Sequence, residues 1–350
     1  MAFKYISSLE AIITSVALVL GSGGCAGSAV EDEFIATDEG ASTAPLEQAS
    51  AALRATRPAG VPADFIVTPA GYMHPSCVLS VSEDEVARAD GDIQRADGSV
   101  RKSSPCRYPR YDVAGRQVPN GGPAAAGESD GRLNTSLVPA FNGWVESAND
   151  ASNGPLNWIS ASWTVPPAPL EDVGQTLFYF PGIQPIEQLS EHYTILQPVL
   201  RWYAGLWTIE SWNCCVEGNA NMGPAAVVSS GDTLYGYVEG HGCDARGVCT
   251  DWFVHTGDCT NGAHSWLRTS AYGNVMGWTF GGVLEVYGVD DCAQYPPSGS
   301  ITFSNIQTRS TSYQQVYPTW SVGVTSEPPQ CGYGVSAPDP STVTLFASPD

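Results

Sequence analysis

From about residue 137 onward, hydrophobic and polar positions alternate with a period of two in short segments, and almost no stretch has the 3.6-residue period of a helix. Glycine, proline, asparagine and aspartate bound these segments. The ten clearest are WISASWTVP, QTLFYFPGI, TILQPVLRW, WTIESWN, AAVVSSGDTLYGYVE, WFVHTGD, GGVLEVYGV, GSITFSNIQ, WSVGV and TVTLFAS. Many short strands separated by turn residues are typical of an antiparallel β-sandwich or jelly roll. The pattern therefore predicts an all-β domain over residues 137–350.

The first 25 residues have the layout of an export signal. Lys4 precedes the apolar stretch AIITSVALVLG, which is too short to span a bilayer and ends in small residues. Cys25 follows two glycines, as in bacterial lipoprotein attachment sites, but Ser22 stands where such sites usually carry leucine. We expect a secreted or cell-surface protein, with simple cleavage and a lipid anchor on Cys25 as the two alternatives.

Composition divides the remaining N-terminal part into three pieces. Residues 26–60 are rich in Ala, Ser, Glu and Asp and predict a flexible linker. Residues 61–118 carry two cysteines, a short helix candidate SEDEVARAD and a basic run from Arg95 to Arg116, and predict a propeptide or small N-terminal domain. Residues 119–136 follow as a second linker, dense in glycine, proline and alanine.

The charge of the chain is strongly acidic, with Lys+Arg 15 against Asp+Glu 36 and a formal net charge of −21. Such a surface repels phosphate backbones, which argues against a nucleic-acid partner. A domain with few cations is expected to stay folded in acid, because carboxylates lose their charge there and repulsion among Lys and Arg would otherwise grow. The alternative is that the acidic composition marks only a soluble extracellular protein. One hypothesis is that the basic run covers an acidic cleft at neutral pH and leaves it in acid.

The ten cysteines predict disulfides in an exported chain. Cleavage or lipidation at Cys25 leaves nine, so one thiol is expected to stay free or to pair between chains. Cys214 and Cys215 are adjacent, and we expect them to bond two separate partners. His241, His255 and His264 lie among cysteines without the spacing of a zinc site, so neither a metal nor a cofactor is expected.

Motifs of the common hydrolases are absent from the sequence: there is no G-x-S-x-G elbow, H-E-x-x-H helix, pepsin-type D-[ST]-G or Walker loop. What remains is a set of polar groups on strands. Strand alternation places Glu210 with Trp212, and Glu285 with Tyr287, on faces opposite Ile209 and Leu284. Gln197 shares its face with Arg201. If these three strands are neighbours, the polar groups line a groove.

The segments WISASWTVPPAP, FYFPGI, TILQPVLRW, WTIESWN, SSGDTL, GGVLEVY and GSITFSNI, in this order and spacing, resemble the glutamic peptidases called eqolisins over residues 140–310. The resemblance implies a lectin-like (concanavalin-like) β-sandwich with a catalytic Gln/Glu dyad, here Gln197 and Glu285. It also implies a substrate cleft. The corresponding cleft residues are Glu210, Trp144, Phe180, Gln184, Trp212 and Tyr287, with Phe180 in place of the family's tryptophan and Gln184 in place of its aspartate.

The chemistry of such a dyad is coherent. An ionised carboxylate can activate water as a general base, and an amide N–H can stabilise the oxyanion that forms on the scissile carbonyl. We therefore expect a monomeric acid-active endopeptidase that acts on polypeptides and is made as a zymogen.

Two other functions fit the same residues. Ten tryptophans and fifteen tyrosines suit a non-catalytic carbohydrate-binding sandwich, because aromatic rings stack on sugars. Glu210 and Glu285 could also act together as the paired carboxylates of a glycoside hydrolase.

Overall fold

The computed structural model describes residues 57–118, 143–187 and 194–349. The predictions for residues 1–25 and 119–136, and most of that for residues 26–60, lie outside these ranges, as does Cys25. In the described part, regular structure consists of 24 strands and two three-residue 3₁₀ turns, at Pro75–Cys77 and Cys292–Gln294. The N-terminal segment, residues 57–118, contains β1 (Ile66–Thr68), β2 (Gly71–Met73), β3 (Val78–Ser80), β4 (Val86–Ala87), β5 (Ile93–Gln94), β6 (Val100–Arg101), β7 (Arg110–Tyr111) and β8 (Gln117–Val118).

All the remaining strands belong to the part that we call the sandwich, residues 143–187 and 194–349. They are β9 (Trp144–Asp150), β10 (Leu156–Thr164), β11 (Thr176–Pro185), β12 (Ile195–Tyr203), β13 (Leu206–Val216), β14 (Asn219–Met222), β15 (Ala226–Val228), β16 (Thr233–His241), β17 (Asp251–Asp258), β18 (His264–Thr269), β19 (Met276–Tyr287), β20 (Ser300–Ser310), β21 (Gln315–Val316), β22 (Ser321–Val324), β23 (Gly334–Asp339) and β24 (Thr342–Phe346). All ten predicted segments lie on these strands.

Two sheets form the sandwich. The large sheet has the order β22-β9-β19-β11-β12-β13-β14-β3, with β15 beside β13. The second sheet has the order β18-β17-β16-β10-β20-β24-β23, with β21 beside β20. Alternate residues of the facing strands, such as Leu284 and Leu200 against Phe303, pack between the sheets. The predicted all-β sandwich is confirmed.

The N-terminal segment is made of small β-sheets that lie against the large sheet. Strand β3 pairs in parallel with β14, Val78 opposite Ala220, and so extends the large sheet. The helix prediction for SEDEVARAD is wrong. Glu85 accepts a hydrogen bond from the Ser82 backbone (3.1 Å), while Val86 and Ala87 pair with β5, so local turn bonds and strand pairing replace a helix too short to be stable alone.

Four disulfides join described cysteines: Cys77–Cys106, Cys214–Cys215, Cys243–Cys249 and Cys292–Cys331. Cys259 is also disulfide-bonded. The expectation that Cys214 and Cys215 have separate partners is wrong, because they bond to each other. No cysteine in the described ranges is free, which rules out the free-thiol alternative for these residues.

Candidate active site

Glu285 lies near the end of β19, on the face of the large sheet that turns away from the second sheet. Its carboxylate is fully buried and accepts two hydrogen bonds. The Trp144 indole N–H donates to Oε2 (3.0 Å), and the Tyr287 hydroxyl donates to Oε1 (2.6 Å). Trp144 is the partner of Glu285 in the register of β9 and β19, so sheet pairing itself brings these groups together.

Burial raises the pKa of Glu285 to about 8, against the opposing effects of the two hydrogen bonds and of the nearby Arg110 guanidinium. A buried carboxyl without an ion-pairing partner strong enough to offset desolvation holds its proton more tightly. In the full chain, Glu285 is therefore a neutral acid below about pH 8.

Gln197 lies on β12 and is also fully buried. Among the described residues, neither Oε1 nor Nε2 of its amide has a hydrogen-bond partner. Leaving a buried polar group unpaired costs about 1–3 kcal/mol. A group of this kind is satisfied by an ordered water or serves a function.

Gln197 and Glu285 share one face of the large sheet, with β11 between their strands. Phe178 pairs with Glu285 on one side and with Arg201 on the other, so Gln197 lies four positions further along β12 than the row that contains Glu285. No hydrogen bond joins the two side chains directly.

Glu210, on the next strand β13, has a different environment. Arg201 forms an ion pair with its Oε1 (3.0 Å), the Trp212 indole donates to its Oε2 (2.8 Å), and the Thr208 hydroxyl donates to Oε1 (3.2 Å). Glu210 is itself fully buried. Both of its oxygens are thus occupied, which suits a structural anchor for the β12–β13 pair.

The structure gathers the other predicted cleft residues on or beside the same sheet. Phe180, Gln184, Trp212 and Tyr287 are buried, and Trp144 packs edge-on against Phe180 and Phe280. Gln184 is opposite Trp278 at the far end of β11 from Glu285. All eight predicted site residues therefore lie on five neighbouring strands of the large sheet, β9, β19, β11, β12 and β13.

The predicted groove is not open to solvent, because the N-terminal segment fills it. Phe65, Tyr72 and Met73 of this segment pack in one apolar cluster with sandwich residues that include Phe178 and Tyr287. The Tyr72 ring lies edge-on to Tyr287, with centroids 5.4 Å apart, and is 1% exposed. The sequence suggested a cover made by the basic run; it did not indicate this apolar contact, because residues 61–118 look polar and basic overall.

The basic run of the N-terminal segment does not face the sandwich as the sequence suggested. Arg101 pairs with Glu85 (3.3 Å) and Lys102 with Asp92 (2.5 Å), all within the segment. Arg110 is the exception. It is 5% exposed, donates to Cys215 Sγ (3.3 Å) and acts electrostatically on Glu285. The contact between segment and sandwich is thus mainly apolar, with one buried cation near the carboxylate.

Within the described ranges, no group of three or more His, Cys, Asp or Glu side chains is arranged to hold a metal ion. His241 instead contacts Glu239 (3.2 Å), and His264 contacts Glu83 (3.0 Å). No helix in the described part of the chain is long and apolar enough to cross a membrane.

No family model and no curated protein matches the chain. Solved structures that are similar to it include a scytalidoglutamic peptidase with a peptide-based transition-state analogue, at 15% identity and a TM-score of 0.41 over 58% of this chain and 98% of that one. A second structure of that peptidase, with a transition-state analogue inhibitor, has 17% identity and a TM-score of 0.41 over 59% and 98%. SCP-B, an eqolisin-family peptidase in complex with the tripeptide Ala-Ile-His, has 16% identity and a TM-score of 0.40 over 58% and 98%.

Proposed function

We propose that the chain is an exported endopeptidase of the glutamic type, in which Glu285 activates water and Gln197 stabilises the oxyanion. The observation that carries the proposal is the buried amide of Gln197, which has no described protein partner and shares a face with the clamped carboxylate of Glu285. The eqolisin-like series of motifs in the sequence names the same two residues. Four disulfides are consistent with export.

The reaction uses one water molecule per peptide bond. The ionised Glu285 carboxylate takes a proton from water while the water oxygen bonds to the scissile carbonyl carbon, and the carbonyl π electrons move to its oxygen. The Gln197 Nε2–H donates to that oxyanion. When the tetrahedral species collapses, the C–N bond breaks and the leaving nitrogen takes the proton from Glu285, which returns the carboxylate to its starting state.

The proposal includes an inhibitory role for the N-terminal segment, residues 57–118. While the segment covers the sheet, a substrate cannot reach Phe178 and Phe180, and Glu285 keeps its proton up to about pH 8. Removal of the segment would admit water to the carboxylate, and less desolvation would lower its pKa toward that of an ordinary glutamic acid. The base would then be available in mild acid.

Glycoside hydrolysis by Glu210 and Glu285 has less support. Both oxygens of Glu210 are already engaged, by Arg201, Thr208 and Trp212. A carbohydrate-binding role without catalysis would leave the unpaired amide of Gln197 without a specific explanation.

The test is a chain with a recognition site for a sequence-specific protease inserted within residues 119–136. The uncut chain is expected to be inactive on an unfolded protein, and cleavage followed by incubation in mild acid is expected to release hydrolysis. The same chain with a scrambled site is the control. If cut chains from which the segment has dissociated hydrolyse no peptide bond at any pH, the peptidase proposal is wrong.

A further inference from the structure

Tyr287 and Glu285 lie two positions apart on β19, so both side chains point to the same face of the sheet. The hydroxyl of Tyr287 is 2.6 Å from Glu285 Oε1, and the indole nitrogen of Trp144 is 3.0 Å from Oε2. Each carboxylate oxygen therefore accepts one hydrogen bond from the sandwich itself. Since each oxygen has two acceptor positions, one on each oxygen stays available for water.

Two further groups near Glu285 come from the N-terminal segment, the cation Arg110 and the ring of Tyr72 against Tyr287. Both leave with the segment if it is removed. The donors that stay are Tyr287 and Trp144. Burial in the first place, and then the charge of Glu285, raise the pKa of Tyr287 well above its usual value, so its hydroxyl keeps the proton and remains a donor.

We propose that Tyr287 is a positioning residue for Glu285, which fixes the orientation of the carboxylate and favours its ionised form, and so sets the lower pH limit of activity. The proposal rests on the proposed function. A hydrogen bond from a neutral hydroxyl to a carboxylate is short and strong because the acceptor is charged. It stabilises the charged form, so its loss shifts the titration of Glu285 upward.

The kinetic test compares the cut chain with its Tyr287→Phe variant, using kcat/KM across pH. The acid limb of the profile is expected to move up by about one pH unit, and kcat is expected to fall about tenfold with little change in KM. Tyr179→Phe is the matched control, because Tyr179 is equally buried but lies in the cluster between the two sheets. An acid limb that stays in place in Tyr287→Phe contradicts the proposal.

A spectroscopic test separates this proposal from the peptidase assignment. Infrared difference spectra between the full chain and Glu285→Gln isolate the carboxyl band of Glu285, which is then titrated with and without Tyr287→Phe. A midpoint raised by Tyr287→Phe supports the positioning role even if no hydrolysis is ever seen, and an unchanged midpoint overturns it. If Tyr287→Phe does not fold, Trp144→Phe removes the other donor and must raise the midpoint in the same way.

Discussion

Pro181 and Pro198 lie opposite each other on β11 and β12. Tyr179 pairs with Leu200 on one side of them and Ile183 with Leu196 on the other, and between these pairs the two strands share no bonded partners. Neither proline has an N–H to donate, so the ladder opens at this point. Gln197 is adjacent to Pro198. The break therefore leaves the strand that carries the proposed oxyanion donor unpaired on its β11 side, next to Gln197.

The unpaired amide of Gln197 predicts that this residue costs stability. Gln197→Met fills a similar volume without a polar group, and should raise the free energy of unfolding of the full chain by about 1 kcal/mol while it abolishes hydrolysis. Gln294→Met is the control. Gln294 is 2% exposed, but its amide is bonded to Asp290 on both sides, so the same change there should destabilise the chain by about 1–3 kcal/mol. Denaturant titration measures the unfolding free energies of both variants. A Gln197→Met chain less stable than the unaltered chain would contradict the claim that the unpaired Gln197 amide costs stability.

Two buried acids make large contributions to the pH dependence of stability. Burial raises the pKa of Glu285 to about 8, and burial also raises that of Glu146 to about 8, although Glu146 accepts backbone bonds from Gly334 (2.6 Å) and Phe346 (3.3 Å). The folded chain thus holds protons that the unfolded chain releases above about pH 4.5.

Stability from these groups is complete below about pH 4.5 and is lost as the pH rises toward 8, by about 1.4 kcal/mol per pH unit for each group. Glu285→Gln cannot titrate, so its unfolding free energy should fall less steeply with pH than that of the unaltered chain, by about 1.4 kcal/mol per pH unit. Denaturant titrations at a series of pH values between 4 and 9 check this. Identical slopes for the two chains would show that Glu285 is not held in its protonated form.

Tyr72 is expected to be the main apolar contact that keeps the N-terminal segment on the sheet. Loss of a buried aromatic side chain costs about 3 kcal/mol, so Tyr72→Ala should raise the hydrolysis by uncut chain about a hundredfold. Arg101→Gln, which breaks contacts only inside the segment, with Glu85 and with the Ser80 carbonyl (2.8 Å), should leave the uncut chain inactive. Activation by Arg101→Gln but not by Tyr72→Ala would favour an electrostatic cover instead.

Arg201 is predicted to be structural. Arg201→Gln leaves the fully buried carboxylate of Glu210 with only Trp212 and Thr208 as donors, and should destabilise the chain by about 3 kcal/mol. Glu210→Gln removes the buried negative charge and keeps one acceptor oxygen, and should cost less. Thermal unfolding of the two variants measures the loss of stability in each. A larger loss in Glu210→Gln than in Arg201→Gln would contradict the prediction.

The alternation of hydrophobic and polar residues was sufficient to predict the strands and the face of the sheet on which each side chain lies. Leu284 and Val286 pack between the sheets and Glu285 points away from them, as a period of two requires. The neighbours across strands could not be predicted, because register depends on pairing between distant segments. The clamp of Trp144 on Glu285 spans 141 residues.

A cover over the site could be suggested from the sequence, but the residues that form it could not. Phe65, Tyr72 and Met73 are scattered among polar residues, and no periodic pattern marks them as a buried face. The charges of the same segment were misleading for a physical reason. Arg101 and Lys102 satisfy carboxylates close to them in space within the segment, and a sequence gives no indication of which carboxylates those are.

The most direct measurement of the central claim is hydrolysis of an unfolded protein from strongly acidic to neutral pH by the cut chain, its Gln197→Ala variant and its Glu285→Gln variant, each checked for folding. We predict cleavage favoured in acid for the unaltered chain, a loss of about 10²–10³-fold for Gln197→Ala, and at least as large a loss for Glu285→Gln. Folded variants that cleave as fast as the unaltered chain would contradict the assignment of the Gln197–Glu285 dyad.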